Sequence, residues 1–161
     1  MKHPDRSAIK LIEILLGMGV SGRLYQRLRT ELNLVYQIST INSLFEDTGY
    51  LCIKAICDPD KVSNIQDEVY TLWEDICMTD VSSEDLKKAK GYYKGTLRRH
   101  LETNAAIAGI TGVEGLLNEV ETIEQAVKRI NRVSPKEIIQ AANRYLKPKH
   151  SVTAIIGPKI E

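Results

Sequence analysis

Histidine is scarce in this chain, three in 161 residues. His3, His100 and His150 stand too far apart for any two to share adjacent turns of one helix. His100-Leu-Glu102 is the nearest approach to a ligand pair and has the wrong spacing, so the chain cannot assemble a conventional catalytic zinc site by itself. Cysteine is equally sparse. Cys52, Cys57 and Cys77 form no Cys-x-x-Cys pair, and their odd number argues against a secreted disulfide framework. A reduced, cytoplasmic setting is expected. No apolar run approaches 18 residues, and the opening Met-Lys-His-Pro-Asp shows no basic stretch followed by an apolar one, so a soluble, unprocessed protein is expected. A net charge of +1 provides no long-range field to draw nucleic acid or an anionic membrane. The glycines from Gly17 to Gly22 lack the preceding strand and the lysine of a phosphate-binding loop, which leaves a helix-to-helix turn as their reading.

What is present is globular. Hydrophobic residues make up 43% and charged residues 27%, and a chain of this length fits one core, so residues 1–161 are read as one domain. Ile9, Ile12, Leu15 and Leu16 recur at helical spacing behind Asp5, a candidate N-cap carboxylate. Ser21 can cap a second helix from Gly22, with Leu24, Leu28 and Leu32 as its buried stripe. From Tyr36 to Phe45 the sequence turns β-branched and aromatic. Glu46-Asp47-Thr48-Gly49 then signals a turn, and a second apolar run reaches Cys57. The pattern predicts an antiparallel hairpin with Leu51, Ile53, Ala55 and Cys57 on one face, and a phase break between Ile38 and Ile41 marks a bulge. Asp58-Pro59-Asp60 ends the sheet segment, and Ile65, Val69, Leu72, Trp73 and Ile76 describe a long helix.

Further on, Leu86, Ala89, Tyr93, Leu97 and Leu101 form one stripe behind Ser82 or Ser83, and residues 104–117 make a helix rich in small residues. Thr122-Ile-Glu-Gln125 and Ser134-Pro-Lys-Glu137 are capping boxes that open two short helices. Ser151 to Ile156 reads as a strand. The expected fold class is α+β, an antiparallel sheet of three strands covered by about seven helices.

Three stretches in this order carry a resemblance. They are Ser21-Gly-Arg-Leu-Tyr-Gln-Arg-Leu-Arg-Thr-Glu-Leu-Asn-Leu-Val-Tyr36, Val81-Ser-Ser-Glu-Asp-Leu-Lys-Lys-Ala-Lys90, and Val133-Ser-Pro-Lys-Glu-Ile-Ile-Gln-Ala-Ala-Asn-Arg-Tyr-Leu146 with Val152-Thr-Ala-Ile-Ile-Gly-Pro158. Over nearly its whole length the chain resembles the insulinase and mitochondrial-processing-peptidase family of zinc metallopeptidases. The likeness is to the C-terminal-type domain that lacks the inverted His-x-x-Glu-His zinc motif. The resemblance implies that fold and a supporting role in peptide cleavage. Zinc would lie in a partner domain, and an arginine and a tyrosine would face the bound peptide. Those positions match Arg29 and Tyr36. A guanidinium and a phenol are donors that can hold a peptide carbonyl or the oxyanion formed from it. The implied partners are the zinc-binding N-terminal-type domain, on the same or a separate chain, and a peptide substrate.

Plainer readings stand beside these. Arg29, flanked by Arg23 and Arg27 and near Glu31, reads equally as a solvated helix arginine, and Tyr36 as a strand-edge packing residue. Tyr25, one turn before Arg29, either orients it or covers core. Lys87, Lys88, Lys90, Lys94, Arg98, Arg99 and His100 form a basic tract, interrupted by acids and read as a solvated face. The cysteines and Trp73 read as core. Val35 replaces the small residue usual before the tyrosine, and Gly22 a frequent second serine. The resemblance also implies a further strand ahead of the first helix. The chain is therefore read as part of a longer subunit, the alternative being an unpaired sheet edge open to homodimerisation. Relatives that have lost catalysis make a scaffold subunit the rival function.

Overall fold

The computed structural model describes residues 3–45, 48–79, 81–116 and 121–158. Its centre is helix α1, Arg6–Gly17, which touches α3, α5, α6 and the sheet. Leu11 and Leu16 are wholly buried and Ile12 almost so, and no residue from Leu11 to Gly17 reaches water appreciably. The single apolar stripe expected from the sequence is therefore too narrow, because neighbours close on α1 from all sides. Asp5 sits at the N-cap without capping. Its backbone is helical, and its carboxylate instead accepts from Arg144 at 2.6 Å and from the Tyr145 hydroxyl at 2.9 Å, tying the start of α1 to the end of α6.

Gly19 takes the left-handed backbone (φ 76°) that turns the chain out of α1. The following helix, Tyr25–Glu31, winds with the wide i to i+5 bonding of a π-helix, the Leu32 N–H donating to the Arg27 carbonyl at 3.1 Å. Leu24 and Leu28 are fully buried, whereas Leu32 is only half-buried, since the wider turn spoils the four-residue alignment. Asn33, at φ 49°, ends the helix, and Leu34 N–H returns to the Leu28 carbonyl at 2.7 Å.

Strands β1 (Gln37–Leu44) and β2 (Gly49–Ile56) form an antiparallel hairpin whose pairing runs unbroken from Gln37 opposite Ile56 to Leu44 opposite Gly49. The bulge expected near Ile38 is absent. Ile38 and Thr40 pair with Ala55 and Ile53 on the inner face, and Ile41 simply falls on the outer face, partly exposed. Thr40 is the contact with α1, its hydroxyl donating to the Glu13 carbonyl at 3.1 Å. It also lies so close to Gly17 that any Cβ there would collide with the Thr40 side chain.

Helix α2, Val62–Met78, buries Ile65, Val69, Leu72 and Ile76 as expected, while Trp73, Cys57 and Cys77 are partly buried at the core's margin. Helix α3, Ser83–His100, is capped by Ser82 and buries Leu86 and Ala89. Its stripe weakens beyond Tyr93. Helix α4 is Asn104–Leu116, and Leu117, expected in it, lies outside the described residues. Both capping boxes form, at α5 (Ile123–Arg132) and α6 (Pro135–Tyr145), each with a buried isoleucine, Ile130 and Ile138. Segment 151–156 has no ladder partner among the described strands, so it is not the third strand expected. Its ties are side-chain bonds to α2, Tyr70 with Ser151 at 2.9 Å and Gln66 to Thr153 at 3.3 Å. The architecture is α+β, mostly helical with a two-stranded sheet. No helix of the described residues is long and apolar enough to cross a membrane.

The closeness of Gly17 to Thr40 makes a specific demand. Gly17→Ala should cost about 1–3 kcal/mol through overpacking despite alanine's better helix propensity, and Gly17→Ala with Thr40→Ser should recover part of it. Urea unfolding of the variants measures both, and a Gly17→Ala variant as stable as wild type would show that the contact is loose.

Candidate functional site

Arg29 and Tyr36 are brought to one place by the turn that separates them. Arg29 projects from the last turn of the π-helix, half-buried, and its Nη1 donates to the Val35 carbonyl at 2.8 Å. Val35 is itself buried, and Tyr36 follows directly with its backbone N–H on the Ile56 carbonyl at 2.7 Å. The arginine is thus held by the peptide unit that carries the tyrosine. One of its five N–H donors is occupied there. Its neighbour Arg27 takes the carboxylates, with Glu68 bound at 2.8 and 3.1 Å and Glu31 at 3.0 Å. Glu31 therefore pairs with Arg27, and Arg29 has a main-chain partner.

Tyr36 is more than half exposed, at 57%, and its hydroxyl donates to Asp58, 3.0 and 3.2 Å from the two carboxylate oxygens. Lys61 closes on the same carboxylate at 2.9 Å. The hydrogen bonds from Lys61 and Tyr36 hold the Asp58 carboxyl below the usual aspartate range. In return Asp58 pushes the Tyr36 phenol above the usual tyrosine value, an effect opposed weakly by the charges of Lys61 and Arg29. Asp58 and Lys61 are the members of the cluster that sequence reasoning missed, because Asp58-Pro59-Asp60 reads so strongly as a strand terminator. The ladder alone would not have shown it, since its register continues to Cys57 opposite Tyr36, and Asp58 meets the phenol only past the end of the paired strands.

The arrangement is bipolar. A phenol has one proton, and Asp58 accepts it, so the Tyr36 oxygen has lone pairs left to accept with, while Arg29 has N–H groups beyond the one on Val35. No group of three or more His, Cys, Asp or Glu side chains that could hold a metal ion occurs among the described residues.

The sequence model described as the inactive domain of peptidase M16 matches residues 1–93. The chain belongs to the M16 peptidase family. An uncharacterized zinc protease of Mycobacterium tuberculosis is 27% identical over 154 residues, 95% of this chain and 35% of that protein. The β subunit of the mitochondrial-processing peptidase of Bos taurus is 26% identical over 166 residues, 97% of this chain and 34% of its own length. The M16 domain thus spans about a third of the curated relatives it matches. A protease of Helicobacter pylori superposes with a TM-score of 0.82 at 24% identity, over 91% of this chain and 36% of the other, a likeness of fold.

Replacing Asp58 by Asn should lower the Tyr36 phenol back toward the ordinary tyrosine value, since the hydrogen bond to a carboxylate is the largest cause of its elevation. The Tyr36 ring-carbon NMR signal, followed through alkaline pH, reads this directly. Coincident titrations of wild type and Asp58→Asn would mean that the bond does not form in solution.

Proposed function

We propose that this domain is the substrate-clamping, non-catalytic half of a zinc endopeptidase, with Arg29 and Tyr36 holding the peptide that a zinc-binding partner domain cleaves. The observation carrying this reading is the anchoring of both residues at one peptide unit, the Val35 carbonyl accepting from Arg29 and the Tyr36 N–H joining the ladder at Ile56 while Asp58 holds the Tyr36 hydroxyl. A peptide group offers a carbonyl acceptor and an N–H donor. Arg29 suits the first and Tyr36, its proton held by Asp58, the second, so the pair can fix an extended substrate through its backbone whatever its side chains. Rigid supports favour such a role. Arg29 stands on a helix whose inner residues are fully buried and Tyr36 directly before a strand.

Zinc, bound in the partner domain on the same or a separate polypeptide, would supply the activated water. The residues of this chain bind and orient the peptide and hold the tyrosine proton at Asp58. Names such as zinc protease and mitochondrial-processing peptidase among the relatives support a peptide as the ligand.

The reading is tested by peptide hydrolysis with the full-length subunit assembled with its zinc domain. Arg29→Ala and Tyr36→Phe should each lower kcat/KM tenfold or more at equal zinc content, about 1.4 kcal/mol of transition-state stabilisation. Tyr36→Phe isolates the hydroxyl, because the ring remains. Unchanged hydrolysis in both variants, or an intact assembly without hydrolysis, would favour a scaffold subunit instead.

A further inference from the structure

Part of the basic tract of α3 forms one wall of an open groove, with Lys87 exposed and Lys90 and Lys94 half-buried. Lys87, Lys90, Gly91 and Lys94 recur every three or four residues and so share one side of the helix. Opposite them stand Asn131, in the last turn of α5, and Pro135, the first residue of α6, and the groove between has a volume of ≈ 590 Å³. Small-molecule sites commonly fall at about 300–1,000 Å³.

Lys90 is fixed in place. Its Nζ donates to the Asn131 carbonyl at 3.0 Å and the Val133 carbonyl at 2.6 Å, at the negative end of the α5 dipole. Burial first, and the charge of Lys94 second, depress its ammonium pKa, with Glu137 acting the other way. Nearby carboxylates are engaged elsewhere. Glu84 binds Lys88 at 2.8 Å, and Glu137 accepts both the backbone N–H and the hydroxyl of Ser134 at 2.7 Å. Among the described residues no acidic side chain lines the groove, so three lysines face it without a counter-charge in those walls.

The remaining walls set the ligand's chemistry. Leu86 and Pro135 supply an apolar surface, and Ser83 a hydroxyl. No arginine is among them, so the planar two-pronged geometry suited to a carboxylate is missing. Compact ammonium groups with freely turning donors suit a tetrahedral dianion.

We infer that the groove between α3 and the α5–α6 turn binds a small organic phosphate, its oxyanion held by Lys87, Lys90 and Lys94 and its carbon skeleton against Leu86 and Pro135. The site is independent of the Arg29–Tyr36 cluster and requires no zinc domain. Its test uses the chain with pyrophosphate or glycerol 3-phosphate, against chloride at matched ionic strength, in wild type and in Lys87→Gln/Lys94→Gln. Lys90 is left on its carbonyls so that the helix contact survives.

Both phosphates should raise the wild-type thermal midpoint by a few degrees beyond chloride at saturating concentration, and leave the double variant where chloride leaves it. Amide NMR shifts at Gly91 and Asn131 should move with the phosphates in wild type only. Flotation with phosphatidylcholine vesicles containing phosphatidic acid then distinguishes the source. Capture by these vesicles, dependent on Lys87 and Lys94, assigns the phosphate to a lipid headgroup, and its absence assigns it to a soluble metabolite. Equal midpoint shifts in wild type and double variant, or none beyond chloride with Gly91 and Asn131 unmoved, would overturn the inference.

Discussion

Everything in this domain leans on α1 and on how closely its neighbours approach. From Leu11 to Gly17 the helix has no face toward water, so it contributes to the core on every side. Directed bonds then tie β1 and α5 to it. Thr40 fastens β1 through the Glu13 carbonyl, and the absence of a side chain at Gly17 lets the strand come in. Arg129 of α5 reaches Ser7 with one nitrogen while binding Glu121 with two others at 2.9 Å, and Arg6 binds the same carboxylate at 3.0 Å. These partly buried pairs, the one with Arg129 bidentate, contribute orientation as much as energy, since desolvation offsets much of their attraction. The Glu121 carboxyl is held below the usual glutamate range chiefly by the hydrogen bond from Arg129, so this part of the lock weakens only as the solution turns acidic.

A two-stranded hairpin in isolation is marginal in water. Here it is firm enough to set a site because its inner face rests on α1 and because Val35, just upstream, is buried. The order of causes is therefore α1, then β1, then the Val35 peptide unit, then Arg29 and Tyr36. The two side chains owe their meeting to that unit. Arg29 bonds to its carbonyl, and its N–H belongs to Tyr36 and joins the ladder at Ile56. A slip of one residue in the register would turn Thr40 away from α1 and undo the meeting as well.

Much of this was legible from local patterns. The capping boxes at Thr122 and Ser134, the α2 stripe and the inner face of β2 are short-range features, and each formed as its residues suggest. What escaped the sequence was decided at long range. Asp5 has the right chemistry for a cap, yet Arg144 and Tyr145, about 140 positions away, bind its carboxylate instead. Segment 151–156 has β-branched composition but no described neighbour to pair with, and composition cannot supply one. The π-helical winding after Leu24 was equally hidden, since three leucines at four-residue spacing describe an α-helix until the third fails to bury. Arg29 and Tyr36 themselves came into view only through family resemblance. Asp58 was obscured by its position beside Pro59.

Asp58 also changes how the two outward groups are to be understood. Two donors aimed at one spot would stabilise negative charge and little else, as in an oxyanion hole. With the Tyr36 proton drawn to Asp58, and Asp58 itself held ionised by Lys61, only Arg29 remains a donor. The phenol, its pKa raised, stays protonated and bound. Such a pair keeps a constant polarity across the physiological range. Constant polarity suits holding a neutral peptide group in one orientation, a task that needs no proton transfer. Under the proposed reading, the chemistry of bond breaking belongs to the partner domain. The domain's own contribution under the proposed reading is geometric: a fixed donor and a fixed acceptor, aligned by the same backbone ladder that folds it.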